Sequence, residues 1–125
     1  MPSYLLKAQN RETIAAIDLG SNAMRATIAQ KIPGGLEVLK NVRMPLRLGE
    51  DVFATGNISS EKMELTENAF IGLLHLFTSY NVTEVTARAT SAMRDAKNGT
   101  ILVERIYKST GILIETTVSY THLTL

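Results

Sequence analysis

At 125 residues, the chain is long enough for one domain that buries roughly two thirds of its unfolded surface. The composition is 45% hydrophobic and 20% charged, and no apolar run approaches the length of about eighteen residues that a membrane span needs. The net charge of +1 gives no electrostatic basis for nucleic-acid binding, and the absence of cysteine excludes disulfides and thiolate metal sites. We therefore expect no nucleic-acid or membrane partner, and we take a cytoplasmic location as the default.

The N-terminal part of the sequence predicts a polar arm followed by a β-meander. Residues 1–11 lack the apolar segment of a signal peptide and are interpreted as a loose arm, and 12–116 as the folded domain. Pro33-Gly34-Gly35 marks a turn, and Pro45 ends the meander because proline cannot donate to a strand ladder. The stretch 46–57 has no clean period and is predicted to be a loop. The predicted strands are 12–18, 23–31 and 36–44.

The first predicted strand is a buried apolar run that ends abruptly in Asp18, Gly20, Ser21 and Asn22. This composition is typical of a phosphate-binding hairpin, because glycine permits a tight turn whose backbone N–H groups can face an anion. Ser21 and Asn22 add side-chain donors, and Arg25 on the next strand is expected near Asp18 at one open end of the sheet. Taken alone, the stretch is equally compatible with an ordinary polar turn between two strands.

Helical periodicity begins after Ser59 or Ser60, either of which can cap a helix with Glu61 in its first turn. The pattern predicts a helix over 61–80, closed by Asn81, a residue that tolerates the left-handed conformation of many helix ends. Its predicted core stripe is Met63, Leu65, Ala69, Phe70, Leu73, Leu74, Leu76 and Phe77.

The C-terminal part of the sequence continues with alternating strands and helices. The resulting order, β-β-β-α-β-α-β, predicts an α/β fold with a mixed sheet and helices packed against it. The elements are a strand at 82–90, a short helix at 91–97, a helix at 100–110 that Gly111 ends, and a strand at 112–115.

A second polar stretch lies where the fourth strand meets the short helix. Thr90 and Ser91 are expected at the helix start, where free N–H groups favour an anion, and Arg94 follows one turn later. The alternative is structural, with Ser91 capping the helix while Arg94 and Asp95 form a solvated face. The residues alone favour this structural alternative.

Three motifs, in this order, make the chain resemble the exopolyphosphatase / guanosine pentaphosphate phosphohydrolase family over most of its length. They are the sequences IDLGSN at 17–22, RLGE at 47–50 and ATSAMRDAKN at 89–98. The resemblance implies the N-terminal ribonuclease-H-like half of an actin-like ATPase fold, facing a second domain of the same protein across the active-site cleft. It also implies a homodimer that uses Mg²⁺ to remove terminal phosphate from inorganic polyphosphate or pppGpp.

The same resemblance assigns roles to residues of the first and third motifs and to Arg25. Asp18 would hold the metal or orient the attacking water. Anhydride hydrolysis depends on positioned water and on neutralised phosphate oxygens, which amides, arginines and a metal provide. The expected substrate-binding residues are Gly20, Ser21, Asn22, Arg25, Thr90, Ser91 and Arg94.

The chain also departs from the family pattern. Ala23 stands where the family usually has Ser or Thr, and neither the Ser-Gly-x-x-Glu segment with the catalytic base nor the second phosphate loop, Asp-x-Gly-Gly-Gly-Ser, is present. Glu115 matches a strand residue before the missing segment and is not assigned as the base. We interpret 117–125 as an atypical tail, either foreign to the gene or a divergent terminal strand, and expect the chain alone to be inactive.

Two other functions remain open at this point. A sugar kinase or other ATPase of the same superfold also opens with an Asp-x-Gly turn, although the motif at 89–98 argues against it. A non-catalytic domain that binds a phosphate ligand, or serves only a structural role, belongs to a different class. Binding of polyphosphate, pppGpp and ATP would separate the three.

Overall fold

The computed structural model describes residues 11–116, and a mixed five-stranded β-sheet forms their centre. The strand order in the sheet is β3-β2-β1-β4-β5. Strand β2 is antiparallel to both β1 and β3, and β4 is parallel to both β1 and β5. The strands are β1 Thr13–Leu19, β2 Met24–Ile32, β3 Gly35–Met44, β4 Val82–Ala89 and β5 Ile114–Thr116. The predicted tail and all of the predicted arm except Arg11 lie outside the described residues.

Four helices connect the strands of this sheet: α1 Leu48–Thr55, α2 Ser60–Ser79, α3 Ser91–Asp95 and α4 Gly99–Thr110. Parallel strands need crossover connections. Helices α1 and α2 lie in the connection from β3 to β4, and helices α3 and α4 lie in the connection from β4 to β5. The meander followed by two parallel crossover strands is the ribonuclease-H-like topology that the resemblance implied. None of these helices combines the length and the apolar content that a bilayer span requires.

Helix α2 begins and ends as its sequence predicts. Ser59 is the N-cap, and its hydroxyl accepts the backbone N–H of Lys62 at 3.2 Å. Asn81, directly after the C-cap, adopts a left-handed φ of 56°. The prediction that Leu65 belongs to the core stripe is wrong, because this residue is 47% exposed. The neighbouring Thr66 is buried instead, and its hydroxyl donates to the Lys62 carbonyl.

The predicted loop at 46–57 is also wrong, because Leu48–Thr55 forms helix α1. Eight residues are too few to show a helical period, and Gly49 near the start lowers the intrinsic helix propensity. Tertiary packing stabilises the helix instead, through buried Leu48, Gly49 and Val52. Gly56 ends it with a φ of 84° and an N–H bond to the Val52 carbonyl.

The core lies between the helices and one face of the sheet. Odd-numbered residues of β1, such as Ala15 and Ile17, are buried there together with Phe70 of α2 and Ile106 of α4. The opposite face, which we call the open face, is exposed at alternate positions of the central strands. The apolar run predicts a buried strand, and the structure shows that this strand is buried on one face only.

Candidate functional site

The turn between β1 and β2 is a tight loop of four residues, 20–23. The Gly20 N–H donates to the Ala23 carbonyl at 3.0 Å, and a Cβ at Gly20 would lie 3.1 Å from that oxygen. The Gly20 N–H is therefore used inside the turn. It does not face an anion, contrary to what the sequence predicts for the turn amides. Within residues 11–116 the N–H groups of Ser21 and Asn22 have no protein acceptor, so they remain available to a ligand.

The second predicted stretch meets this turn directly. The hydroxyl oxygens of Ser21 and Ser91 are 3.0 Å apart, and the Thr90 N–H donates to the Leu19 carbonyl at 3.2 Å. Because β1 and β4 are parallel neighbours, their carboxyl ends bring the two stretches to the same edge of the sheet. Thr90 is the N-cap of α3 and Ser91 its first residue, so the structural alternative in which Ser91 caps the helix is wrong.

A third element, the start of α1, also packs against the turn. We call the turn at 20–23, residues 90–91 and residues 47–49 together the loop cluster. The Gly49 N–H donates to the Ser21 carbonyl and the Arg47 N–H to the Asn22 carbonyl, both at 2.9 Å. A Cβ at Gly49 would meet the Ser21 Cβ at 3.0 Å, so this close approach requires glycine. The motif at 47–50 was part of the resemblance, but no role in shaping the site was predicted for it.

Hydrogen bonds from α2 hold the start of α1 in place. Arg47 has a left-handed φ of 54°, and its carbonyl accepts the Lys62 ammonium at 2.5 Å. The pKa of Asp51 is lowered mainly by its hydrogen bonding to Ser59, whose N–H lies 3.1 Å from Oδ2, with a smaller effect of Lys62. The strained Arg47 backbone is thus fixed from both α1 and α2.

The other end of α1 is fixed by the residues after α3. The Lys97 N–H donates to the Gly56 carbonyl at 2.9 Å. The Asn98 amide pairs with the backbone of Ile58, accepting its N–H and donating to its carbonyl, both at 2.9 Å. Helix α1 therefore connects the turn at 20–23 with the end of the third motif. Asn98 was not predicted to have a role, because its partner lies 40 residues away.

Asp18 lies on the open face between two arginines. In the sheet it stands opposite Arg25 of β2 and Arg88 of β4, and all three side chains are exposed. Within the described part of the chain, no ion pair within 4 Å involves any of them. The predicted proximity of Asp18 and Arg25 at the end of the sheet is present, and Arg88 is an addition.

Arg94 is the predicted site residue that the structure does not join to the others. Its side chain is exposed on α3, and its Nε lies 3.5 Å from Asp95 Oδ1. This arrangement matches the solvated face of the structural alternative, while the backbone of Arg94 stays close to the site through its N–H bond to the Thr90 carbonyl.

Comparison with known proteins identifies the family. A model of the Ppx/GppA phosphatase family matches residues 27–117, more than half of the chain. The chain belongs to this family. Exopolyphosphatase 2 of Mycobacterium tuberculosis is 36% identical over 91 residues, which are 68% of this chain and 28% of that protein. Exopolyphosphatase 1 of Mycobacterium bovis is 26% identical over 103 residues, covering 82% of this chain and 30% of that protein.

Solved Ppx/GppA structures share the fold. The crystal structure of the Aquifex aeolicus family member superposes with a TM-score of 0.82 at 32% identity, covering 86% of this chain and 35% of that one. An exopolyphosphatase from Cytophaga hutchinsonii gives 0.80 at 27% identity, covering 84% and 34%. The present chain thus spans about a third of the length of these Ppx/GppA relatives.

The part of this Ppx/GppA chain that the structure describes contains no group of three or more His, Cys, Asp or Glu residues that could hold a metal by themselves. The carboxylate of Asp18 is exposed and lies beside the loop cluster. Mg²⁺ commonly keeps several waters and binds through one or two carboxylates together with substrate phosphates. The residues present therefore fit a Mg²⁺ ion that arrives with a phosphate ligand, and do not form a complete protein cage.

Proposed function

We propose that this chain forms the phosphate-binding wall of a phosphoanhydride hydrolase that releases terminal phosphate from inorganic polyphosphate or pppGpp. The observation that carries the proposal is the Ser21–Ser91 contact, because it places two loops with phosphate-binding composition against each other at one sheet edge. Membership of the Ppx/GppA phosphatase family and the exopolyphosphatase names of the relatives support the same reaction class.

The residues of the site would act mainly by positioning and by electrostatic stabilisation. The free N–H groups of Ser21 and Asn22, with the hydroxyls of Ser21, Thr90 and Ser91, would donate to phosphate oxygens. The guanidinium of Arg25 would neutralise charge from the open face, and Arg94 would do so after turning away from Asp95. Phosphoryl transfer needs little covalent chemistry from the protein, so these donors suit it.

In this proposal, Asp18 would hold Mg²⁺ together with oxygens of the substrate, or would orient the attacking water. The metal would supply positive charge that polarises the phosphoryl group and offsets the charge of the leaving oxygen. The exposed position of Asp18 at the end of β1 supports this role, because its carboxylate is free to meet a ligand from the solvent side.

Hydrolysis would require parts that the family pattern places elsewhere: the glutamate base, the second phosphate loop and the second domain across the cleft. We propose that the complete protein is a homodimer in which this second domain closes the site. The open face and the loop cluster then provide half of the contacts that a substrate needs.

Calorimetric titration of the chain with tripolyphosphate, pppGpp and ATP in the presence of Mg²⁺ tests this proposal. We expect the first two ligands to bind and Ser21→Ala to weaken binding severalfold, because a hydroxyl donor is lost. Thr100→Ala is the matched control, since Thr100 is exposed on α4 away from the loop cluster. A preference for ATP would favour the kinase function. If none of the ligands binds, the result would favour a purely structural role for the chain.

A further inference from the structure

The open face carries a transverse row of charged residues, one from each strand of the sheet. Pairing register places Arg43, Arg25, Asp18, Arg88 and Glu115 opposite one another in that order across the sheet. Residues opposite each other in neighbouring strands project to the same face. Three arginines and one aspartate therefore lie side by side on four consecutive strands, and the row is cationic around Asp18.

Two shallow cavities follow this row. One of about 490 Å³ has Asp18, Arg25, Arg88 and the threonines at 27, 86 and 90 among its lining residues. The other, of about 540 Å³, lies on the β2–β3 side and is lined in part by Arg25, Asn41 and Arg43. Both cavities share Arg25 and Thr27, so they form one continuous track along the row. Through Thr90 the first cavity also reaches the loop cluster.

The arginine side chains along this track are available to a ligand. Neither Arg25, Arg43 nor Arg88 forms an ion pair within 4 Å in the part of the chain that the structure describes. A guanidinium offers a planar fork of N–H donors that matches phosphate oxygens, and it stays charged at every physiological pH. From β3 to β4 the row crosses three strand spacings, about 14 Å. A single phosphate is too small to reach both ends of such a row, whereas linked phosphates can contact several of its arginines.

We propose that Arg88 is a further phosphate-binding residue, and that the Arg88 side of the first cavity, beyond Asp18, binds an inner phosphate of a linear phosphate chain. This inference rests on the proposed function and extends it, because it locates a subsite for phosphates beyond the one at the loop cluster. The ligand class is a chain of at least three linked phosphates. Asp18 at the centre of the row offsets part of the positive charge of the neighbouring arginines. We therefore expect the preference of the subsite for the linked anion over a lone phosphate to depend on Arg88.

Titration of the 125-residue chain with tripolyphosphate and with orthophosphate, each with Mg²⁺, tests the inference on Arg88→Ala and Arg88→Lys. We expect Arg88→Ala to weaken tripolyphosphate binding about tenfold, the loss of one charge-assisted contact, and to leave orthophosphate binding nearly unchanged. Arg88→Lys, which keeps the charge without the fork, should lie between. Lys40→Ala is the control, because Lys40 stands opposite Ile28, whose side chain belongs to the other, buried face.

The outcomes separate this inference from the function on which it rests. Binding of tripolyphosphate by the unaltered chain with no loss in Arg88→Ala overturns the inference alone. Equal losses in Arg88→Ala and Lys40→Ala indicate a general charge effect and also overturn it. No phosphate binding by the unaltered chain overturns the proposed function and the subsite together. Thermal unfolding of each variant checks its fold, which exposed Arg88 is not expected to affect.

Discussion

Ser21 and Ser91 are separated by 70 positions, yet each hydroxyl is the other's hydrogen-bond partner in a half-buried contact. Removing either hydroxyl leaves the other without this partner, so we expect Ser21→Ala and Ser91→Ala each to lower the free energy of unfolding by about 1 kcal/mol. The double variant should be little worse than the poorer single variant, because both remove the same bond. Urea denaturation of the four proteins measures this coupling, and simple additivity would show that the hydroxyls do not interact.

Gly99, the first residue of α4, has the least space of any glycine among the described residues. A Cβ at this position would lie 2.5 Å from the Met93 carbonyl oxygen, and backbone cannot move away cheaply. We expect Gly99→Ala to destabilise the domain by about 2 kcal/mol. Gly72→Ala is the matched control, since nothing lies within 4 Å of a Cβ there and Ala favours the interior of α2 by about 0.5–1 kcal/mol. Opposite shifts in melting temperature are expected, and a stabilised Gly99→Ala would contradict the geometry.

At the scale of elements, Glu67 of α2 joins α4 by receiving hydrogen bonds from Arg105 at 2.9 Å and from the Ser109 hydroxyl. The Ser109 bond, followed by that of Arg105, lowers the pKa of Glu67 from its ordinary value of 4.5. A lowered folded-state pKa contributes stability that is present above pH 4.5 and is lost as the pH falls through the folded value. The contribution is at most about 1 kcal/mol, because Arg105 is partly exposed to solvent.

Replacement of Glu67 by glutamine tests this linkage. Glu67→Gln should be less stable than the unaltered chain at pH 7, and the difference should shrink as the pH falls below about 4.5. Glu64→Gln, on the exposed side of the same helix, controls for the general change in charge. Chemical denaturation at several pH values measures both variants, and an unchanged difference at low pH would exclude the hydrogen-bonded carboxylate as its cause.

The elements that could be predicted from sequence are those whose signals are local. The caps of α2, the glycine end of α4 and the positions of the five strands along the chain all follow from neighbouring residues, and the structure agrees to within two residues at nearly every boundary. Helix α1 could not be predicted, since contacts with the turn at 20–23 and with Lys62 stabilise it rather than its own period. Leu65 was misplaced for a related reason, because α2 buries a narrower stripe than its apolar residues suggest.

The candidate site, in contrast, depends on pairing across the whole molecule. Gly20, Ser21, Thr90 and Ser91 carry a local composition signal, but only the parallel pairing of β1 and β4 brings them together. Arg88 lies directly before the motif at 89–98, yet nothing local shows that it stands opposite Asp18. Register between strands distant in sequence is therefore the information that sequence reasoning lacked.

Binding and turnover should be separable in this molecule. The described residues offer donors for phosphate oxygens and the exposed carboxylate of Asp18. In the proposed function, hydrolysis also needs a base and charge neutralisation from a second domain. The chain spans about a third of its Ppx/GppA relatives, so we expect it to bind tripolyphosphate but to release phosphate no faster than Asp18→Asn does. A phosphate-release assay with Mg²⁺ and polyphosphate, on samples whose binding has been measured, checks both parts. Release well above that of Asp18→Asn would show that these residues alone hold a complete catalytic site.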